Sequence, residues 1–165
     1  MSRASAPGKI ILFGEHAVVY GRPALAVPVT QVCVTVDITD SVRKGIWIDA
    51  PDVSLHAELN TLPSDHPIAS VIHSFLFLSR VSSFPHLDIK ITSTIPVASG
   101  LGSGAAVTVA LTRALSSHLN HPMTDDEINA FAYEIEKLHH GTPSGIDNTV
   151  VTYARPVYFV KDPPS

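Results

Sequence analysis

The stretch Pro96-Val97-Ala98-Ser99-Gly100-Leu101-Gly102-Ser103-Gly104-Ala105-Ala106 joins an apolar, β-branched run, Leu87 to Ile95, to a helix-forming run, Ala105 to Leu119. Glycines at such a junction let the backbone approach a ligand closely. The helix beyond them aims unpaired N–H groups and a partial positive charge back at the loop, which suits a polyphosphate. No Lys-Ser/Thr pair follows the last glycine, so this is not a P-loop, and the spacing is not the dinucleotide fingerprint. Taken alone, the stretch reads as readily as a tight strand-to-helix turn whose small residues serve packing.

Working outward, Leu87, Ile89 and Ile91 alternate with Asp88, Lys90 and Thr92, the pattern of a half-exposed strand. Lys9 to Phe13 reads as a short strand, Ala24 to Ile38 as β-rich, and Ile46 to Asp49 as a strand after a turn at Arg43-Lys44-Gly45. Ile68, Val71, Ile72, Phe75, Leu76 and Leu78 give residues 67–81 one buried helical face. Thr124-Asp125-Asp126-Glu127 has the form of a capping box opening a helix to about His139. Thr149 to Val160 reads as strand, and Asp162-Pro163-Pro164-Ser165 as a linker or severed end. Strands grouped before and between helices, without strict alternation, predict an α+β fold.

At 165 residues the chain is expected to form one domain with a sizeable core. Charged residues are only 16% of it, which excludes a disordered, solvating chain. A net charge of −4 with no basic stripe argues against nucleic acid as partner. The lack of a long apolar run or a signal-like start argues against membrane insertion and secretion, and cytoplasm is the expectation. The single cysteine, Cys33, lies in a strand-like run and is expected to be a buried structural thiol.

Two more segments sharpen the reading. Ala6-Pro7-Gly8-Lys9-Ile10-Ile11-Leu12-Phe13-Gly14-Glu15-His16-Ala17-Val18-Val19-Tyr20-Gly21 precedes the glycine stretch, and Glu136-Lys137-Leu138-His139-His140-Gly141-Thr142-Pro143-Ser144-Gly145-Ile146-Asp147-Asn148 follows it. In this order, the three resemble the GHMP small-molecule kinases. The resemblance covers nearly the whole chain but about the first half of a family member. It implies an α+β domain like the second domain of a small-subunit ribosomal protein, with a mixed or antiparallel sheet and helices on one face. It also implies that residues 1–165 are the N-terminal, ATP-binding domain, the C-terminal domain being absent from this chain.

Phosphoryl transfer needs a phosphate cradle, a divalent cation, a positive charge at the transferred group and a group that deprotonates or orients the nucleophile. The resemblance assigns ATP to Pro96 through Ala106, with backbone donors from Gly100 onward. Family members usually carry a metal-binding serine where this chain has Gly104, so Ser103 is the substitute ligand expected for magnesium, together with Glu136. Asp147 is implied as the catalytic base and Lys9 as the charge that stabilises the transferring phosphoryl and keeps Asp147 ionised. Glu15, His16 and Ser144 are implied at the acceptor-alcohol site. Read without the resemblance, Lys9 is a solvated strand end, Glu136 a carboxylate disfavoured near a helix C-terminus, and Asp147 an N-cap. His139 and His140 are adjacent on a helix and so point apart, which makes a shared metal improbable.

The Gly14 to Gly21 and Ser144 to Asn148 runs single out, within the family, members that phosphorylate the 5-hydroxyl of mevalonate, early in isoprenoid synthesis. A different small alcohol as acceptor, or a non-catalytic nucleotide-binding fragment, are the alternatives. A C-terminal domain, in cis or in trans, is the implied partner, and a homodimer is compatible with the resemblance. Alone, the half chain is expected to be weakly active or inactive, because the missing domain would close over the acceptor.

Overall fold

The computed structural model describes residues 1–81, 83–96 and 99–161. Val97 and Ala98 of the glycine stretch, and the linker-like residues 162–165, lie outside the described residues. Six strands, β1 (Ser2–Phe13), β2 (Ala24–Asp40), β3 (Ile46–Ala50), β4 (Leu55–Glu58), β5 (Leu87–Ser93) and β6 (Val157–Phe159), form one sheet. Its order is β1-β2-β5-β3-β4, with β6 on β2. Every pairing is antiparallel except β3 with β5. Four helices, α1 (Pro67–Ser79), α2 (Ser103–His118), α3 (Asp125–His140) and α4 (Ile146–Tyr153), complete the α+β fold.

The alternation read from sequence sets the inner face. Val34, Val36 and Ile38 of β2, Ile46 and Ile48 of β3, and Ile89 of β5 are fully buried against Ala106, Val109, Ala110 and Leu111 of α2. Alanines at that contact let α2 lie close to the sheet. Ile72 and Phe75 place α1 in the same core. A second cluster joins Val18, Ala24 and Ala26 to Ile146 and Val150 of α4. The reciprocal capping box at Thr124 and Glu127 starts α3, as its sequence predicts.

β1 is longer than expected and broken in register. Pro7 pairs with Cys33, but Gly8 pairs with Val29, so β2 bulges outward between them. The bulge reverses the parity of β1. Ala4 and Ala6 pack inward before it, whereas Lys9 and Ile11 face inward after it and Ile10 and Leu12 are exposed. The outer sheet face changes character at the same point. On one side it carries ion pairs such as Arg3 with Asp37 at 2.6 Å; on the other it shows Ile10, Leu12 and Tyr158. Cys33 sits at the bulge and is half-buried rather than buried.

A second expectation, besides the burial of Cys33, is overturned. Residues 149–160 are not a strand: α4 runs through Tyr153, ends at Ala154 in the left-handed region (φ +50°), and only Val157–Phe159 is strand. The β-branched run Thr149-Val150-Val151-Thr152 favours strand locally. Its valines instead fill both hydrophobic clusters from a helix, and tertiary burial outweighs propensity. Among the described residues no helix is long and apolar enough to cross a membrane.

Candidate active site

The parity reversal in β1 delivers Lys9 to the interior. Its amide donates to the Leu101 carbonyl at 2.9 Å, stitching the strand to the glycine loop. Its side chain, 7% exposed, reaches the Asp147 carboxylate at 2.9 Å. Gly102 makes room for it. Gly102 holds φ +71° as the residue before α2, and a Cβ there would stand 2.7 Å from Cγ of Lys9. Lys9 is therefore an internal cation and not the solvated strand end that its position suggests.

Asp147 is equally unlike its simplest reading. Gly145 is the N-cap of α4, and Asp147 lies in the first helical turn, half-buried, facing Lys9. Across the cavity stands Glu136 from α3. Burial and the nearby Asp147 carboxylate push its carboxyl up to about 7, with Lys9 opposing the shift. Glu134, two positions earlier, points elsewhere and binds Lys137 at 2.7 Å, as helical geometry requires.

These groups line a cavity of about 310 Å³ with Ile11, Glu15, Gly102, Gly104, Ala105, Pro143 and Ser144. The first turn of α2 opens onto it with no side chain capping its N-terminus, so the amides of residues 103–105 keep their donor capacity. Pro96, Ser99, Gly100 and Ser103 are exposed on the loop and first turn without lining this cavity. Leu101 contributes its carbonyl to Lys9, and Ala106 is buried in the core. Glu15 is exposed at the cavity rim; His16 is exposed on the turn after β1 and is not part of the lining. Ser144 accepts from the Ile146 amide at 3.3 Å, fixing the turn into α4. Ile11 and Pro143 were missed by the sequence reading: each is an ordinary apolar residue whose place in the lining follows from the bulge and from the turn.

The residues fit a magnesium ion. Among the described residues no cluster of three or more His, Cys, Asp or Glu assembles. Magnesium does not need one, since one or two carboxylates suffice when substrate phosphates supply further oxygens. Burial and then the neighbouring Asp147 carboxylate raise the Glu136 carboxyl, and a cation beside it would favour its ionised form. A larger depression of about 400 Å³ on the outer sheet face involves Arg43, Trp47 and Asp88, but Arg43 is already paired with Asp88 and stacked on Trp47.

A strand-borne lysine, an open helix N-terminus after a glycine loop, and two carboxylates from neighbouring helices meet at one cavity of this α+β domain. The profile of the GHMP kinases N terminal domain matches residues 68–155, and the chain belongs to that family. It is 37% identical to a mevalonate kinase of Pyrococcus abyssi over 94% of this chain and 50% of the relative. For one of Archaeoglobus fulgidus the figures are 38%, 91% and 50%. The structure of the Methanococcus jannaschii mevalonate kinase superposes with a TM-score of 0.86 at 29% identity, over 96% of this chain and 53% of that one. An L. major mevalonate kinase in complex with R-mevalonate gives 0.72 at 28%, over 97% and 52%. The chain spans about half the length of the relatives it matches.

Proposed function

We propose that this chain is the ATP-binding half of a phosphotransferase that acts on the 5-hydroxyl of mevalonate. The observation that carries the reading is the Lys9–Asp147 pair at 2.9 Å, set beside an open helix N-terminus. In this reading the amides of the first α2 turn and the Gly100–Ala106 loop hold the β- and γ-phosphates. Asp147 takes the proton of the acceptor hydroxyl as its oxygen bonds to the γ-phosphorus and the bond to the ADP oxygen breaks. Lys9 counters the charge spread over the transferring phosphoryl and pairs with the Asp147 carboxylate. Magnesium held by Glu136 would neutralise phosphate charge; Ser103, outside the cavity lining, would serve it only from the exposed first turn of α2. Glu15 and Ser144, which line the cavity, face the acceptor, while His16 stands outside it on the turn after β1. Residues 1–165 work with a second, C-terminal unit in the cytoplasm, which would close over the cavity and exclude water.

Calorimetry with Mg-ATP tests the cradle: the chain binds, and Gly102→Val does not. Equal affinity for both disposes of it. With the second unit supplied, ³¹P NMR follows transfer to mevalonate. Asp147→Asn is expected to slow it by about 10²–10⁴ while leaving nucleotide affinity in place.

A further inference from the structure

The face that α3 turns toward α4 is a single stripe, and the residues on it meet α4 one by one. Asp126 accepts from the Tyr153 hydroxyl. Asn129 meets Asn148. Tyr133 closes on Gly145, where an added Cβ would lie 3.2 Å from its ring. Glu136 shares the cavity with Asp147. The spacing of 126, 129, 133 and 136 is that of one helical face, and the partners of the first three, Tyr153, Asn148 and the N-cap Gly145, run backward along the chain, so the two helices are antiparallel.

Within that stripe the asparagine contact is the deepest polar one. Asn148 is 2% exposed; its Nδ2 donates to Oδ1 of Asn129 at 2.6 Å and to the Asn129 carbonyl at 3.2 Å. Its own Oδ1 is buried without a partner. An unmet buried acceptor carries a desolvation cost, so the amide is not there for packing alone. What the amide supplies is direction: two bonds from one nitrogen to one residue fix both the distance and the roll of α4. Asn148 is the neighbour of Asp147, and Asn129 lies on the same side of α3 as Glu136.

We infer that Asn148 is a positioning residue, whose bonds to Asn129 set how α4 presents Asp147 to Lys9 and Glu136. The inference rests on the phosphotransferase reading for its meaning, but its test needs neither nucleotide nor acceptor. The chemistry is asymmetric: Asn148 must donate, whereas Asn129 need only accept.

The test is heteronuclear NMR of the Lys9 ammonium group in this chain. Buried and paired with Asp147, its protons exchange slowly enough to give a signal. Asn148→Ala is expected to lose that signal while keeping a cooperative melt, and Asn129→Asp, which still accepts, is expected to retain it. A merely structural tether would lower the melting temperature in Asn148→Ala and leave the Lys9 signal unchanged. Persistence of the signal in folded Asn148→Ala, or its absence from the parent, overturns the inference. Should Asn148→Ala not fold, Asn148→Leu keeps the volume, removes the donor to both Asn129 acceptors and is read in the same way. Failure of Mg-ATP to bind would instead strike the phosphotransferase reading and leave this result standing.

Discussion

The stem of Lys9 occupies the space that a Cβ on Gly102 would fill, 2.7 Å from its Cγ. The strand that carries the cation and the loop that would carry phosphate are thus fitted to each other through one missing methyl group. Gly102→Ala combines that clash with a left-handed backbone, which alone costs about 1–2 kcal/mol. The expected outcome is a lower denaturation midpoint and a displaced Lys9. Gly104 is the control. A Cβ there meets nothing within 4 Å, so Gly104→Ala gains up to about 1 kcal/mol from helix propensity.

Asp147→Asn leaves the Lys9 ammonium buried without its main counter-charge. Breaking a buried pair costs about 3–5 kcal/mol, and the lower end applies because the Asp147 side chain is 31% exposed. Lys9→Met added to Asp147→Asn removes the stranded charge. Urea denaturation of the single and double variants is therefore expected to show the double as more stable than the sum of its parts.

Glu136 gives the pH dependence its sign. Unfolded, its carboxyl ionises near 4.5; folded, it holds its proton to about 7. The folded state binds the proton more tightly, so this contribution to stability is complete below the unfolded value and is lost as pH rises through about 7. Glu136→Gln cannot ionise. Parent and variant are expected to differ by a constant at about pH 4, with the variant gaining on the parent up to about pH 8 and not beyond. Denaturation midpoints across that range check it; parallel curves would contradict it.

Arg113 ties four elements together. It donates to the Asp125 carboxylate and the Thr152 carbonyl at 2.7 Å each, and to the Ser5 carbonyl at 3.4 Å. Arg113→Met keeps the apolar stem and removes these bonds. The expected loss is about 2 kcal/mol, or a fall in melting temperature of about 4–8 °C for a chain of this size.

Periodicity carried much of the fold. β2, β3, β5, α1, α2 and the capped start of α3 lie close to where alternation, helical spacing and capping chemistry put them. What failed did so where local preference and tertiary packing disagree. α4 is built from β-branched residues that a helix buries better than a strand would. β4 is four residues long and shows no clean alternation, so nothing local marks it. Of the site, Lys9, Glu15, Gly102, Gly104, Ala105, Glu136, Ser144 and Asp147 were named from sequence and share one cavity. They were found through their motifs and not through physics: no alternation rule turns Lys9 inward, because the bulge at Gly8 that does so depends on which residues of β2 pair across it. The Asn129–Asn148 contact was invisible for the same reason, since helix spacing gives each face but not which helix it meets.

That bulge also gives the chain two unlike poles. Where charges are laced across the sheet as ion pairs, an approaching surface would have to dehydrate them. Past the bulge, Ile10, Leu12, Phe13 and Tyr158 lie bare beside the three-residue strand β6. In solution the chain is thus an amphiphile at the scale of a whole sheet. Crowding and sulfate, which strengthen the burial of apolar surface, drive such particles together greasy pole first.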